Sequence, residues 1–279
     1  MKTIDGRAIA KTIREEAGNR AEKLRSEGVV PTLAVVVPTK DEATAWYVRQ
    51  IARSADKLDI QCRIVELDDP GRNEVVQALQ ELSADASVHG IICQTPLPEG
   101  VALADVAQHI VRHKDIDGAN PESLGRLAAG LGSWAPSTAA ASVEILKRTG
   151  TELAGKRVAV IGRSTVVGKP AALLLVNESA TVTVCHSKTR ELARVCQEAD
   201  ILIAAVGRAE MVKNDYIKPG AVVVDVGTNP TADGGLVGDV DFDSAASVAG
   251  AVTPVPGGVG PVTTGLLLLH AVEAAEQQL

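Results

Sequence analysis

The sequence predicts an α/β protein of two lobes, each carrying a parallel sheet. Short unbroken apolar runs alternate with stretches of helical period, a rhythm that favours parallel strands covered by helices on both faces. That rhythm breaks over residues 115–136, where Gly, Asn, Pro and Ser fall at short intervals, and starts again at Lys156. At 279 residues the chain is long enough for two domains with cores of their own. Hydrophobic residues make up 46% and aromatics only 2%, so those cores must be built from Ala, Val, Leu and Ile.

The elements follow in order. Residues 5–28 read as a helix: Asp5 is its N-cap, Ile9, Ile13, Ala17, Ala21 and Leu24 share one face, and Gly28 ends it. Residues 33–37 are an apolar run typical of a strand buried on both faces. A helix at 42–58, a strand at 62–67, a helix at 74–83 and a strand at 90–94 complete a βαβαβ unit. A helix at 138–149 bridges to the second lobe, whose strands are expected at 156–161, 181–185, 201–205 and 221–225. Helices are expected from Pro170 and at 191–199. A Gly/Pro-dense stretch at 253–261 precedes a last apolar helix, 262–276, read as crossing back to the first lobe. The expected division is therefore 1–137 with 262–279, and 138–261, with a cleft between the lobes.

Charge and composition exclude several classes. There are 28 basic and 35 acidic residues, a net of −7, which argues against a nucleic-acid binder or a basic membrane-surface protein. No apolar run approaches the ~18 residues that span a bilayer, and the start, Met1-Lys2-Thr3-Ile4-Asp5-Gly6, has no apolar h-region. Cys62, Cys93, Cys185 and Cys196 lie far apart with no CxxC pair, and His89, His109, His113 and His270 form no constellation. A reduced cytoplasmic protein with no metal site is the expectation.

Residues 158–170 place a glycine-containing loop at a strand-to-helix junction, where free backbone N–H groups and the helix end attract phosphate. Gly162 lets the chain turn and Gly168 permits close approach. The G-x-G-x-x-G spacing is absent, so the loop alone reads as a cofactor site or as an ordinary βα turn. The next strand ends Cys185-His186-Ser187-Lys188-Thr189-Arg190 without the acid that would bind a ribose hydroxyl. With Arg163 this cluster suits a 2′-phosphate, favouring NADP over NAD; the bland alternative is a solvated polar turn.

Several motifs in order resemble the bifunctional methylenetetrahydrofolate dehydrogenase/methenyltetrahydrofolate cyclohydrolase family over nearly the whole chain. They are Gly162-Arg-Ser-x-x-Val-Gly-x-Pro170, Val184-Cys-His-Ser-Lys-Thr189, Val224-Asp-Val-Gly-x-Asn229, Val237-Gly-Asp239 and Pro254-Val-Pro-Gly-Gly-Val-Gly-Pro261. In the first lobe Gln94-x-Pro-Leu-Pro98 and Lys114-Asp-Ile-Asp-Gly118 match as well. The resemblance implies a folate-binding first domain, a Rossmann-like NADP-binding second domain and a homodimer formed through the latter. It implies that Tyr47 stacks on the pterin, Asp117 hydrogen-bonds it and Gln94 sits by the reacting carbon. Pro256, Gly257, Gly258 and Pro261 would line the folate side. Gly162, Arg163, Ser164, Gly168, His186 and Ser187 would serve the cofactor, and Thr228, where the family commonly has Ile, would lie near the nicotinamide.

The departures cluster on the folate side. The family's Tyr-Val-x-x-Lys reads Tyr47-Val-Arg-Gln-Ile51, so isoleucine replaces the catalytic lysine. Cys-Thr-Pro-x-Gly reads Ser137-Thr-Ala-Ala-Ala141, a leucine becomes Thr95, and Ser123-Leu124 displaces an asparagine. Oxidation of the methylene carbon needs chiefly positioning against the nicotinamide. Water attack on the methenyl carbon needs a base, and Ile51 cannot hold a proton. Arg49 and Arg53 do not share the Ile51 face, and Lys40, in the preceding loop, is the remaining substitute. The expectation is an NADP-dependent methylenetetrahydrofolate dehydrogenase with cyclohydrolase activity weak or lost. The alternatives are a family oxidoreductase for another pterin or an iminium compound, and a silent paralogue that binds NADP or folate.

Overall fold

The computed structural model describes residues 1–279. In chain order it contains β1 (Lys2–Thr3), α1 (Gly6–Ser26), β2 (Thr32–Val37), α2 (Glu42–Asp56), β3 (Gln61–Glu66), α3 (Arg72–Ala84), β4 (Gly90–Cys93), α4 (Leu103–Ala107), α5 (Pro121–Ala128) and α6 (Ser137–Arg148). There follow β5 (Arg157–Ile161), α7 (Gly168–Asn177), β6 (Thr181–Cys185), α8 (Leu192–Cys196), β7 (Ile201–Ala204), β8 (Val222–Asp225), β9 (Asn229–Pro230), β10 (Leu236–Val237), α9 (Phe242–Ala246), β11 (Ala251–Val252) and α10 (Val259–Glu276). The chain divides into two compact units, residues 1–11 with 138–263 and residues 12–137 with 264–279.

The unit of residues 12–137 and 264–279 is built on a three-stranded sheet in the order β3-β2-β4, parallel throughout. All six residues of the central β2 are buried, as its unbroken apolar run predicts. Ala34, Val36, Val75, Leu79, Val88, Ile91, Val106 and Ile110 form one cluster on it. Asp41 caps α2, its carboxylate accepting the Thr44 N–H at 2.8 Å. The buried positions of α2 are Thr44, Val48, Ile51 and Ala55, one stripe at helical spacing. The stretch that breaks the sequence rhythm contains α5, which the sequence reading did not anticipate. Asn120 caps it by accepting the Glu122 N–H at 2.8 Å, and Pro121 opens it. Residues that interrupt a helix elsewhere here start one.

The other unit holds a six-stranded sheet, β1-β11-β8-β7-β5-β6, with every pairing parallel. Its core includes Ala159, Ile161, Leu202, Ala204, Val223 and Val252. Asp5 caps α1 as expected, Oδ1 accepting the N–H groups of Arg7 at 2.9 Å and Ala8 at 3.2 Å. One feature differs from the sequence reading, which counts residues 1–11 with the N-terminal domain. Lys2 and Thr3 pair with Ala251 and Val252, so the chain begins in the sheet of the C-terminal segment. A strand of two exposed polar residues carries no apolar pattern by which to be seen. No helix of the protein is long and apolar enough to cross a membrane.

Candidate functional site

The loop between β5 and α7 is shaped by its two glycines. Gly162 has φ +120°, and a Cβ there would stand 2.1 Å from the Ala205 carbonyl oxygen. A Cβ on Gly168 would stand 2.2 Å from the carbonyl oxygen of Gly162. The close approach expected at Gly168 is therefore to the loop's own backbone. Helix α7 starts at Gly168, two residues before the expected Pro170. Ser164 Oγ accepts the Val167 N–H at 3.1 Å and closes the turn. Arg163 and Ser164 are exposed at the end of β5.

Strand β6, hydrogen-bonded to β5, ends beside that loop. Ser187, Lys188 and Arg190 are exposed and His186 is half-buried. The Lys188 N–H donates to His186 Nδ1 at 3.1 Å, so Nδ1 is the acceptor and the neutral ring carries its proton on Nε2. Residues 186–190 contain no acid. Three cations, two hydroxyls and the N-terminal turn of α7 form a donor set suited to phosphate groups.

Two motifs quoted without a role, Val224-Asp225 and Gly238-Asp239, prove to be structural. Asp225 Oδ1 accepts the N–H groups of Gly227 and Asp239, both at 2.9 Å, and Oδ2 that of Val240 at 2.9 Å. Asp239 accepts Val206 N–H at 2.6 Å, Gly207 N–H at 3.0 Å and Arg208 N–H at 2.8 Å, and the Asn229 amide at 3.0 Å. Burial pushes the Asp225 carboxyl up to about 6 against the pull of its backbone donors. Thr228, exposed, lies in the loop these carboxylates pin. Pro256 is exposed, Gly257 half-buried and Gly258 buried. Pro261 falls inside α10, which begins at Val259 and not at 262 as expected.

The unit of residues 12–137 and 264–279 gathers Tyr47 and Asp117, together with the end of β4 that leads into Gln94. Asp117 Oδ1 accepts both the Ser137 N–H at 3.0 Å and the Ser137 hydroxyl at 2.6 Å. Burial pushes its carboxyl pKa up, opposed by the Ser137 bonds and by the nearby charge of His270. Gly118 has φ +58°, and a Cβ there would stand 2.7 Å from the Trp134 carbonyl oxygen. Only glycine lets residues 117–118 lie against 134–137. The Tyr47 phenol hydrogen-bonds Thr264; burial, then the Asp117 charge, pushes it up to about 12. Burial and the same aspartate push the Cys93 thiol up to about 12. Gln94 follows Cys93 at the end of β4, its N–H held by the Val36 carbonyl at 2.9 Å.

Ile51 is 0% exposed and lies one turn beyond Tyr47 on α2. Lys40, the substitute amine, is exposed and ion-paired with Asp68, which raises its pKa. Asp115 accepts the N–H groups of Ala119 at 2.9 Å and Asn120 at 3.0 Å, and the Ser123 hydroxyl at 2.6 Å. Ser123, which with Leu124 displaces the family's asparagine, thus anchors the start of α5. Sequence reasoning missed Ser137, Thr264 and His270 as partners of the candidate residues. Ser137 is 20 positions from Asp117, and His270 is 154 from the Ile116 carbonyl it contacts. No local spacing links them.

Comparison with known proteins divides the chain into two consecutive segments. Residues 4–117 match the family model described as tetrahydrofolate dehydrogenase/cyclohydrolase, catalytic domain. Residues 136–279 match the corresponding NAD(P)-binding domain. The chain is 58% identical over 276 residues to the bifunctional protein FolD of Parafrankia sp. (strain EAN1pec), covering 99% of each. It is similar to the crystal structure of the bifunctional enzyme FolD, methylenetetrahydrofolate dehydrogenase/cyclohydrolase, from Campylobacter jejuni. The TM-score is 0.97 at 37% identity, over 100% of both chains. The Trypanosoma brucei enzyme, complexed with NADP cofactor and inhibitor, aligns at TM-score 0.93 and 37% identity over 99% of this chain and 97% of that one.

Proposed function

The chain belongs to the tetrahydrofolate dehydrogenase/cyclohydrolase family, and from that premise we propose an NADP-dependent oxidation of 5,10-methylenetetrahydrofolate to 5,10-methenyltetrahydrofolate, with hydrolysis of the product weak or lost. NADP fits the donor set at the ends of β5 and β6, where Arg163, Lys188 and Arg190 offer positive charge, Ser187 a hydroxyl and His186 a ring N–H, without a carboxylate. The bound cofactor supplies the hydride acceptor. The backbone of residues 162–168 and the first turn of α7 hold its phosphates, and the cationic cluster favours the form with a 2′-phosphate.

On the folate side, Asp117 takes N–H groups of the pterin and Tyr47 stacks on its ring. Gln94 borders the reacting carbon, and Pro256, Gly257, Gly258 and Pro261 contact the folate. The methylene carbon lies between two nitrogens whose lone pairs expel the hydride, so oxidation asks the protein for placement and no side-chain base.

Hydrolysis is different. Water adding to the methenyl carbon must lose a proton, and a general base contributes typically ~10²–10⁴-fold. The observation that carries the reading is Ile51, fully buried on the Tyr47 face of α2 where the family's lysine is expected. Lys40 is a poor substitute, because its pairing with Asp68 raises the pKa that a base would need lowered. A paired assay on one sample tests the reading. NADP reduction with methylenetetrahydrofolate is expected, with methenyltetrahydrofolate lost no faster than about its spontaneous rate. Equal catalysis of both steps would refute the loss, and no reduction would refute the dehydrogenase. A homodimer is part of the proposal; it is supported by β6, a sheet edge whose Val184 is 39% exposed.

A further inference from the structure

Asp117 is gripped on its C-terminal side by Gly118 against residues 134–136 and through its carboxylate by Ser137. The grip on the preceding residue comes from α10. His270 Nδ1 lies 3.1 Å from the Ile116 carbonyl oxygen. A carbonyl can only accept, so Nδ1 carries the proton and donates. The same imidazole packs on Trp134, ring centroids 4.8 Å apart at 38°. One side chain therefore touches both segments that meet at Asp117, the peptide before it and the turn against which Gly118 closes.

We propose that His270 is a positioning residue for Asp117: it fixes the Ile116–Asp117 peptide and the Trp134 turn together, so that the carboxylate held at Oδ1 by Ser137 presents Oδ2 to the N–H groups of a pterin. This rests on the folate reading given above. The titratable groups around the carboxylate are Tyr47 on α2, Cys93 on β4, Asp115 on the same loop and His270 on α10. Of these the imidazole is the one that adds positive charge, and its effect on Asp117 is to lower the carboxyl pKa. Position and charge act in the same direction, aiming the carboxylate and opposing the rise that burial imposes on its pKa.

Three variants separate this role from simple packing. The His270→Asn amide N–H sits where Nδ1 sits, His270→Gln places its amide near Nε2, and His270→Leu has neither. With methylenetetrahydrofolate as the varied substrate, Leu and Gln are expected to raise KM about tenfold or more, with kcat changing less. Asn is expected to stay within about threefold of the parent. The Kd for NADP, bound by the other unit, should not move in any of them. A Gln variant that folds and keeps the parental KM, or an Asn variant no better than Leu, overturns the proposal. A second readout needs no folate: the Asp117 carboxyl carbon, titrated by NMR, should move to higher pKa in His270→Leu, and an unchanged titration overturns the proposal. Parent protein that fails to reduce NADP with methylenetetrahydrofolate refutes the folate reading; the NMR titration then still decides whether His270 governs Asp117.

Discussion

Asp225 and Asp239 hold each other's loops: the Asp225 carboxylate accepts the Asp239 N–H at 2.9 Å, while the Asp239 carboxylate gathers three further backbone N–H groups from residues 206–208. The pair fastens the ends of β7 and β8 in the unit that carries the phosphate loop. Burial pushes the Asp225 carboxyl from its ordinary 3.8 up to about 6 in the folded protein. The folded state therefore holds a proton in that window that the unfolded state has released, and stability falls as pH rises through it. The parent should gain stability relative to Asp225→Asn on going from about pH 7 to about pH 5. Paired denaturant melts at the two pH values check this; a constant difference would contradict it.

Gly168→Ala is predicted to be costly for both stability and cofactor binding. Its Cβ would meet the Gly162 carbonyl oxygen at 2.2 Å, and neither backbone can withdraw without reshaping the turn. The expected loss is about 1–3 kcal/mol, with a weaker Kd for NADP. Gly150→Ala is the control. It has φ +76° but nothing within 4 Å, so it should cost stability through strain alone and leave NADP binding untouched. Chemical denaturation and fluorescence titration of NADPH measure both.

Arg163→Ala should change cofactor choice more than cofactor binding in general. Charge-assisted hydrogen bonds of the kind Arg163 offers a 2′-phosphate are each worth about 1.5–3 kcal/mol. The Kd for NADP should rise about 10–100-fold while that for NAD changes little. Equal weakening of both would place Arg163 at the shared pyrophosphate instead.

Much of this was legible in the sequence because it is periodic or local. The buried run of β2, the Asp5 cap and the glycines at 162 and 168 all act within a few residues of themselves. What escaped was long-range or carried by contact alone. Strand β1 has two polar residues and is defined only by its partner β11. Helix α5 was hidden because Asn120 and Pro121 signal both a helix start and a break. Ser137, Thr264 and His270 reach Asp117 and Tyr47 only through tertiary structure. By contrast, Ile51 was visible as a departure from a motif, and its burial on the Tyr47 face adds what position alone could not.

The most direct test of the central claim compares methenyltetrahydrofolate hydrolysis by the parent and by Ile51→Lys, each corrected for the spontaneous rate. A lysine at this fully buried position should have a lowered pKa and serve as a base. The variant should then hydrolyse at least about tenfold faster than the parent, with NADP reduction in the same samples little changed. A parent already as fast as the folded variant would contradict the account and show that another group performs the proton transfer.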